Sequence, residues 1–282
     1  MLFLLIAVRI LVNPLSNVFQ KRLTHRAADP LFLMTATYGF LALMSLPVLF
    51  VAPLPTDRAF WFSLATLSAL DVAGNVALVA ALERADLSIL GPLNSFKAVI
   101  SLVFGVIVLK ELPALPAILG VLLIGAGGFI LSGGRATRGA GSGVRLRILS
   151  LVILALAAVY LKRCILLSSP LTTFALWAAG AFPVSLAAVF LMRRASSSQI
   201  RILRERPADY ASLILTFGVA QLCVVFTFRV LPVSVSLALF QISTLLAIWF
   251  GRQFFREQGI RRRFAASLVM VAGAILASSA AI

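Results

Sequence analysis

Four polar side chains interrupt two neighbouring apolar segments, and their types are those that bind solutes or exchange protons. Asp71 and Asn75 are four residues apart, and Asn94 and Lys97 are three apart. Each pair therefore shares one face of a helix. The turn between the two segments is centred near Arg84, with Asp71 and Lys97 at equal distances from it. At about 1.5 Å per residue both lie roughly 20 Å from the turn, so they could form an ion pair.

Two interpretations of this polar group remain open. A charged side chain in the middle of a membrane costs at least ~2.5–3.5 kcal/mol on insertion scales, so it persists when paired or when it lines water. Asp71 and Lys97 are therefore either a structural ion pair that holds two helices together or part of a cavity that binds substrate. In the second case, which we favour, either residue could also titrate.

The composition indicates the elements that position these residues. Of the 282 residues 61% are apolar and only 12% are charged, against roughly 25% charged in an ordinary soluble protein. A soluble domain of this size buries at most about three-quarters of its surface, which is too little to hide so many apolar side chains. The net charge of +16 does not indicate a nucleic-acid binder, since the basic residues occupy short gaps between apolar runs. The chain is therefore predicted to be an all-α integral membrane protein.

Apolar runs of about 20 residues predict ten transmembrane helices. Ser132 is followed by a stretch rich in Gly and Arg that we interpret as a linker between two halves of five helices each. The predicted domains are residues 1–132, a basic Gly-rich linker at 133–146, and residues 147–282. The predicted spans are 1–20, 31–52, 60–82, 87–109, 115–132, 147–166, 171–192, 209–230, 233–253 and 264–281.

The two halves resemble one another. A shift of 146 positions superimposes the fourth and fifth predicted spans on the ninth and tenth without a gap. Lys110-Glu111 then meets Arg256-Glu257, and Ala126-Gly127 meets Ala272-Gly273. Upstream, Lys21-Arg22 corresponds to Lys162-Arg163. Because each half has an odd number of spans, the second half must be inverted in the membrane relative to the first.

The distribution of basic residues predicts the orientation. Most of the 25 Lys and Arg residues fall in the odd-numbered loops, and cytoplasmic loops collect Lys and Arg. Both termini are therefore predicted to be non-cytoplasmic, in a multi-pass protein of the cell (inner) membrane. The basic loops, in which Lys21 and Arg147 are counted, are expected to contact anionic lipid headgroups. Arg9, inside the first span, is expected to extend its side chain to the outer end.

The stretch from Ala85-Asp86-Leu87-Ser88 through Leu109-Lys110-Glu111 to the Gly- and Leu-rich run at 120–127 resembles the drug/metabolite transporter superfamily, EamA type. A weaker second copy is Phe255-Arg256-Glu257, followed by the run at 269–274. The resemblance implies ten helices, arranged as two inverted five-helix repeats around a central cavity, and solute transport or export.

Further polar residues are candidates for the same cavity. In the second half Gln221 aligns with Asn75, and Gln241 with Ser95, so an amide-rich wall is expected opposite the charged one. In the first span Asn13 and Asn17 either contact substrate or hold helices together. The predicted substrate-binding residues are thus Asn13, Asn17, Asp71, Asn75, Asn94, Lys97, Gln221 and Gln241.

Aromatic and small residues in the spans are interpreted structurally. Tyr38 and Trp177 could shape the pocket, but packing or anchoring at the membrane interface is the more usual role of such aromatics. Small residues, among them Gly125, Gly127 and Gly273, favour close helix packing within the chain or in a homodimer, so the protein is expected to be a monomer or homodimer.

The sequence contains no catalytic constellation, so an enzyme is not expected. No cofactor is expected either, and His25 as the lone histidine argues against a metal site. We predict a secondary transporter that exports small amino-acid-like metabolites by alternating access, with proton coupling through Asp71 as an option. Alternatives are an exchanger of phosphorylated or nucleotide-linked metabolites, since Lys97 could hold an anion, and a lipid-handling membrane protein or lipid-modifying enzyme.

Overall fold

The computed structural model describes residues 1–109, 115–132, 141–194 and 197–279, and within these ranges the chain is helical without a strand. Thirteen α-helices and one 3-10 turn, at Phe240–Ile242, make up this part of the chain. The helices are α1 (Leu2–Thr24), α2 (Pro30–Val51), α3 (Arg58–Arg84), α4 (Leu87–Leu93), α5 (Phe96–Leu109), α6 (Leu115–Ser132), α7 (Gly141–Leu166), α8 (Pro170–Leu191), α9 (Ser197–Glu205), α10 (Pro207–Val230), α11 (Val233–Leu239), α12 (Ser243–Phe255) and α13 (Ile260–Ser279).

Seven helical stretches in these ranges are long and apolar enough to cross a membrane. They are α1, α2, α3, α7, α8, α10 and the stretch from Val235 to Phe255. The fourth, fifth and tenth predicted spans do not meet the same criteria over their described residues. The ten-helix count therefore remains a prediction, whereas the all-helical membrane class is supported by both sequence and structure.

The fourth and ninth predicted spans are not continuous helices, and the break in the ninth corrects the sequence prediction. The fourth divides into α4 and α5 at Asn94 and Ser95, just after Gly91-Pro92. A proline inside a helix lacks an N–H donor and its ring clashes with the carbonyl one turn earlier. The chain responds with short-range bonds, from Asn94 N to the Gly91 carbonyl (2.9 Å) and from Ser95 N to the Pro92 carbonyl (3.0 Å). The ninth divides at the 3-10 turn between α11 and α12.

Two other boundaries differ from the prediction. α7 begins at Gly141, so the end of the predicted linker is helical, while residues 133–140 lie outside the described residues. α9 was not predicted, because nine residues are too few for a span. Its Ile202 and Leu203 pack against the core, whereas Arg201 and Glu205 form an exposed ion pair. α9 is thus an amphipathic connection between α8 and α10.

Helices of the first half pack mainly on helices of the second half. The most extensive pairings are α3 with α7, α6 with α13, α2 with α8, α1 with α10 and α4 with α12. The core that these pairings enclose contains fully buried aromatic side chains, including Tyr38, Phe60, Trp177 and Phe228. Residues from both halves therefore meet at the centre of the bundle, where the functional candidates lie.

The small residues of α6 and α13 serve packing within the chain. A Cβ atom at Gly273 would lie 2.7 Å from the Gly120 carbonyl oxygen and 2.8 Å from the Ile124 backbone nitrogen. A Cβ at Gly127 would overlap the Met270 side chain. Gly125, on the same helix, has nothing within 4 Å of the corresponding point. The two helices thus approach each other so closely at Gly127 and Gly273 that only glycine fits.

Gly273→Ala is expected to destabilise the protein by about 1–3 kcal/mol, because the backbone of α6 must move away to admit the methyl group. Gly125→Ala is the matched control and should be neutral or slightly stabilising, since alanine favours helix over glycine. Thermal unfolding of both variants in the same detergent measures the difference. Equal midpoints for the two variants would contradict the close packing of α6 on α13.

Candidate functional site

A polar cavity of about 110 Å³ lies between α1, α3, α4, α7 and α10 and the two helix breaks. Apolar side chains such as Leu78, Leu154 and Phe217 complete its wall. All eight residues predicted to bind substrate line this one cavity, although that they bind substrate remains a prediction. They are Asn13, Asn17, Asp71, Asn75, Asn94, Lys97, Gln221 and Gln241.

The Asp71 carboxylate is held by two aromatic side chains from other helices. Its Oδ2 atom accepts hydrogen bonds from the Tyr38 hydroxyl (2.8 Å) and from Trp177 Nε1 (3.0 Å). Asn75 Nδ2 donates to the Tyr38 hydroxyl oxygen (3.2 Å), which turns the hydroxyl proton toward the carboxylate. Tyr38 and Trp177 are therefore more than packing residues, because they orient and solvate the acidic group.

The predicted Asp71–Lys97 ion pair is not formed. Among the ion pairs of the described residues, none joins these two side chains, although both line the cavity. Their equal distances from the turn near Arg84 predict only how far along its helix each residue lies. They do not predict the direction in which each side chain points around the helix axis. Neutral donors on α2 and α8 bind Oδ2 of the carboxylate instead, and Lys97 lines the cavity without a direct ion pair to Asp71.

A chain of hydrogen bonds connects the two helix breaks across the cavity. Arg147 Nη2 donates to Asn94 Oδ1 (2.7 Å), and Asn94 Nδ2 donates to Gln241 Oε1 (3.2 Å). Gln241 Nε2 in turn donates to the Leu237 carbonyl (2.8 Å). Asn94 lies at the first break and Gln241 lies in the second. The bond between their side-chain amides therefore joins the two interrupted helices where each helix is broken.

Three cationic side chains line the cavity, and the sequence identified only Lys97 among them. Arg147, counted as a loop residue, lies one and a half turns inside α7 and is only 5% exposed. Arg9 was expected to reach the outer end of α1, but its Nε and Nη1 atoms are buried and lack a partner among the described residues. Its guanidinium lies 5.3 Å from the centre of the Phe240 ring. The sequence analysis placed the start of this helix too late, at residue 147, and for that reason counted Arg147 as a loop residue.

A second polar cluster lies around Glu257, between α12 and α13. Its Oε1 atom accepts from Lys21 Nζ (3.0 Å) and from the Leu87 backbone nitrogen (2.7 Å). Its Oε2 atom accepts from the Ser88 backbone nitrogen (2.8 Å) and from the Ser88 hydroxyl. Arg263 binds the Asp86 carboxylate at 2.8 Å. We call these residues the Glu257 cluster; it connects α1, the α3–α4 turn and the α12–α13 turn.

The charges of the cluster act on the pKa of Glu257. Burial alone would raise this pKa, but the Lys21 ammonium and the hydrogen bonds from Ser88 outweigh burial. The pKa of Glu257 therefore lies below its ordinary value, and the group is ionised at neutral pH. A Cβ atom at Gly251 would come within 2.5 Å of the Glu257 carboxylate, so the absence of a side chain at that position makes room for it.

The Glu257 cluster lies at one end of the cavity. Gln20 and Leu87 line the cavity, and they are the chain neighbours of Lys21 and Ser88 in the cluster. The side chains of Lys21 and Glu257 are only 4% and 3% exposed. The Lys21–Glu257 pair is thus buried next to this end of the cavity.

Long apolar helices with a charged cavity between them indicate a multi-pass integral membrane protein. Among the described residues no three His, Cys, Asp or Glu side chains form a group that could hold a metal ion.

Comparison with known proteins supports a specific family. A model of the EamA-like transporter family matches residues 2–133. The match confirms the predicted resemblance to the drug/metabolite transporter superfamily over the first half of the chain, and the family suggests a membrane transporter of small molecules. The comparison with curated proteins gave no match.

Proposed function

We propose that this protein is a secondary transporter that exports small amino-acid-like metabolites by alternating access. The single observation that carries the proposal is the polar cavity between two interrupted helices, lined by the eight predicted residues. Interrupted helices whose breaks meet at a midplane site are typical of secondary transporters, because the freed backbone and side-chain groups there can bind solutes and ions. In this chain the Asn94–Gln241 bond joins the two breaks, which supports the proposal.

The proposal includes two inverted five-helix repeats, residues 1–132 and 147–282. In the proposed repeat α1 corresponds to α7, α3 to α10, and α5 to α12. If each helix of an observed pair is replaced by its counterpart, the result is another observed pair, which supports the repeat. The α3–α7 pair becomes α10–α1, and the α5–α7 pair becomes α12–α1.

The corresponding lysines support the repeat as well. Lys21 Nζ donates to the Ala85 carbonyl (3.0 Å), and Lys162 Nζ donates to the Leu231 carbonyl (3.2 Å). Ala85 and Leu231 are 146 positions apart, the shift that superimposes the two halves.

Alternating access requires one end of the cavity to be closed while the other opens, and the Glu257 cluster provides such a closure. In our proposal it lies on the cytoplasmic side with the basic loops, and both termini lie on the opposite side of the inner membrane. Opening this end would break the Lys21–Glu257 contact and free the α3–α4 turn to move. The buried Lys21–Glu257 ion pair would thus stabilise the closed state and could break and form again in each transport cycle.

Two extensions of the proposal concern coupling and substrate. Protons are the proposed coupling ion, with Asp71 as the carrier, because it is the carboxylate among the residues lining the cavity. Exchange of phosphorylated metabolites is the second candidate function, and the three cations of the cavity favour it. Lipid handling is the third alternative, which predicts lipid movement without solute transport.

Transport by purified protein in sealed vesicles tests the proposal. We expect amino-acid-like or phosphorylated solutes to cross faster than in protein-free vesicles, and collapse of the pH gradient to slow transport if protons are coupled. Lys97→Gln should abolish the activity, whereas Arg201→Gln, at an exposed position of α9, should retain it. Movement of labelled phospholipid without any solute, or equal transport by Lys97→Gln and wild type, would contradict a transport site in this cavity.

A further inference from the structure

We infer that the cavity binds a small oxyanion with two negative charges, held by Arg9, Lys97 and Arg147. The ligand carries either two carboxylates, as in an acidic amino acid or a short dicarboxylate, or a phosphate, as in inorganic phosphate. The inference rests on the transporter function proposed above and narrows its substrate class from amino-acid-like metabolites in general to acidic ones.

The charges that line the cavity do not balance. Arg9, Lys97 and Arg147 contribute three positive charges, whereas Asp71 contributes one negative charge. The Oδ2 atom of Asp71 already accepts hydrogen bonds from two aromatic donors. Lys97 lies close enough to both arginines to interact with their charges. Buried like charges repel one another strongly, so a ligand with two negative charges would relieve the excess.

Several donor atoms at the cavity have no partner among the described residues. Arg9 Nε and Nη1 and Arg147 Nε are all buried and unbonded there. The Thr244 hydroxyl, on the first turn of α12, is likewise buried and unbonded. Guanidinium groups present parallel N–H donors that match the two oxygens of a carboxylate or phosphate. Buried polar groups almost always have partners, so these atoms indicate a ligand or the water that replaces it.

The size of the cavity limits the rest of the ligand. A cavity of about 150 Å³ admits benzene, with its six heavy atoms. At about 110 Å³ this cavity accommodates a solute of similar size. A phosphate ion or short dicarboxylate is compatible with that volume, whereas a nucleotide is several times too large. Within the exchanger alternative, the geometry therefore excludes nucleotide-linked substrates in this state.

Equilibrium binding to the full-length protein in detergent tests the inference, with pairs of ligands that differ in charge but not in shape. The pairs are succinate with succinamide and L-aspartate with L-asparagine. Inorganic phosphate forms a separate arm, which distinguishes a phosphate site from a carboxylate site. Isothermal titration should give binding of the anionic members and none, or about 10- to 100-fold weaker binding, of the neutral ones.

Variants locate the site. Arg9→Gln and Arg147→Gln should each weaken anion binding about 10- to 100-fold, while Arg201→Gln leaves it unchanged. Arg9→Lys keeps the charge but loses the paired donors, so intermediate affinity is expected, and this milder variant tests the site if Arg9→Gln does not fold. Equal binding of charged and neutral partners, or no anion binding to folded protein, would refute the inference. Vesicles that still transport neutral amino acids in that case would leave the proposed function intact.

Discussion

Glu257→Gln is expected to lower the midpoint of thermal unfolding by roughly 6 to 20 °C. The carboxylate accepts from Lys21, from two backbone nitrogens of α4 and from the Ser88 hydroxyl. A glutamine turns an N–H₂ group toward some of these donors and leaves the buried ammonium without a counter-charge. Removing one partner of a buried ion pair costs about 3–5 kcal/mol, and each kcal/mol corresponds to about 2–4 °C in a chain of this size.

Two comparisons make this experiment specific. Glu205→Gln, in an exposed ion pair of α9, is the matched control and should change the midpoint little, because exposed pairs contribute about 0–1 kcal/mol. Lys21→Met combined with Glu257→Gln removes both charges and should be less destabilised than the sum of the two single variants. Additive losses in this cycle would show that Lys21 and Glu257 are not coupled.

The same cluster predicts a dependence of stability on pH. Because the pKa of Glu257 is lower in the folded protein than its ordinary value of 4.5, the ionised form stabilises the fold. That contribution is complete above pH 4.5 and is lost as the pH falls through the lowered value. The difference in midpoint between wild type and Glu257→Gln should therefore shrink in acid, which unfolding scans from neutral pH downward would measure.

Asp71→Asn is expected to reduce the initial rate of transport about 10- to 100-fold without unfolding the protein. Asparagine retains an oxygen that accepts from Tyr38 and Trp177, so the local geometry is kept. The charge that offsets Arg9, Lys97 and Arg147 is lost, and with it a proton acceptor at the cavity. A charged hydrogen-bonding group is worth a factor of this size in binding or rate.

Rates in sealed vesicles at equal protein density measure this effect. Asp209→Asn, in a partly exposed ion pair with Arg22, is the control and should transport normally. The double variant Asp71→Asn with Lys97→Gln should be expressed and folded but inactive. Wild-type transport by Asp71→Asn would show that the carboxylate is structural, which is the interpretation that the sequence alone left open.

The polar residues of the cavity could be predicted because burial of polar groups among apolar ones is costly, so their positions carry information. Asn13 and Gln221 stand out for this reason in a sequence that is otherwise apolar around them. That these polar side chains line one cavity could be expected from their spacing along the helices and from the correspondence between the two halves. The partners of Asp71 could not be predicted, since Tyr38 and Trp177 come from helices whose rotation about their axes is set by packing.

Two other features were beyond the sequence for different reasons. The break between α11 and α12 contains no proline, so nothing in the local sequence distinguishes it from a continuous helix. Arg147 follows a basic Gly-rich stretch and so resembles a loop residue. Only the tertiary structure, in which Asn94 accepts from its guanidinium, places it inside the bundle.

The cation excess of the cavity has an electrical consequence. In a carrier whose cavity opens first to one side and then to the other, these charges change their position in the membrane field. Moving one elementary charge across a membrane potential of 100 mV changes its free energy by up to about 2.3 kcal/mol. In such a carrier the empty form would respond to membrane voltage. A bound dianion would cancel the excess, so the loaded form would cross the field nearly neutral, and the voltage would act mainly on the return of the empty carrier.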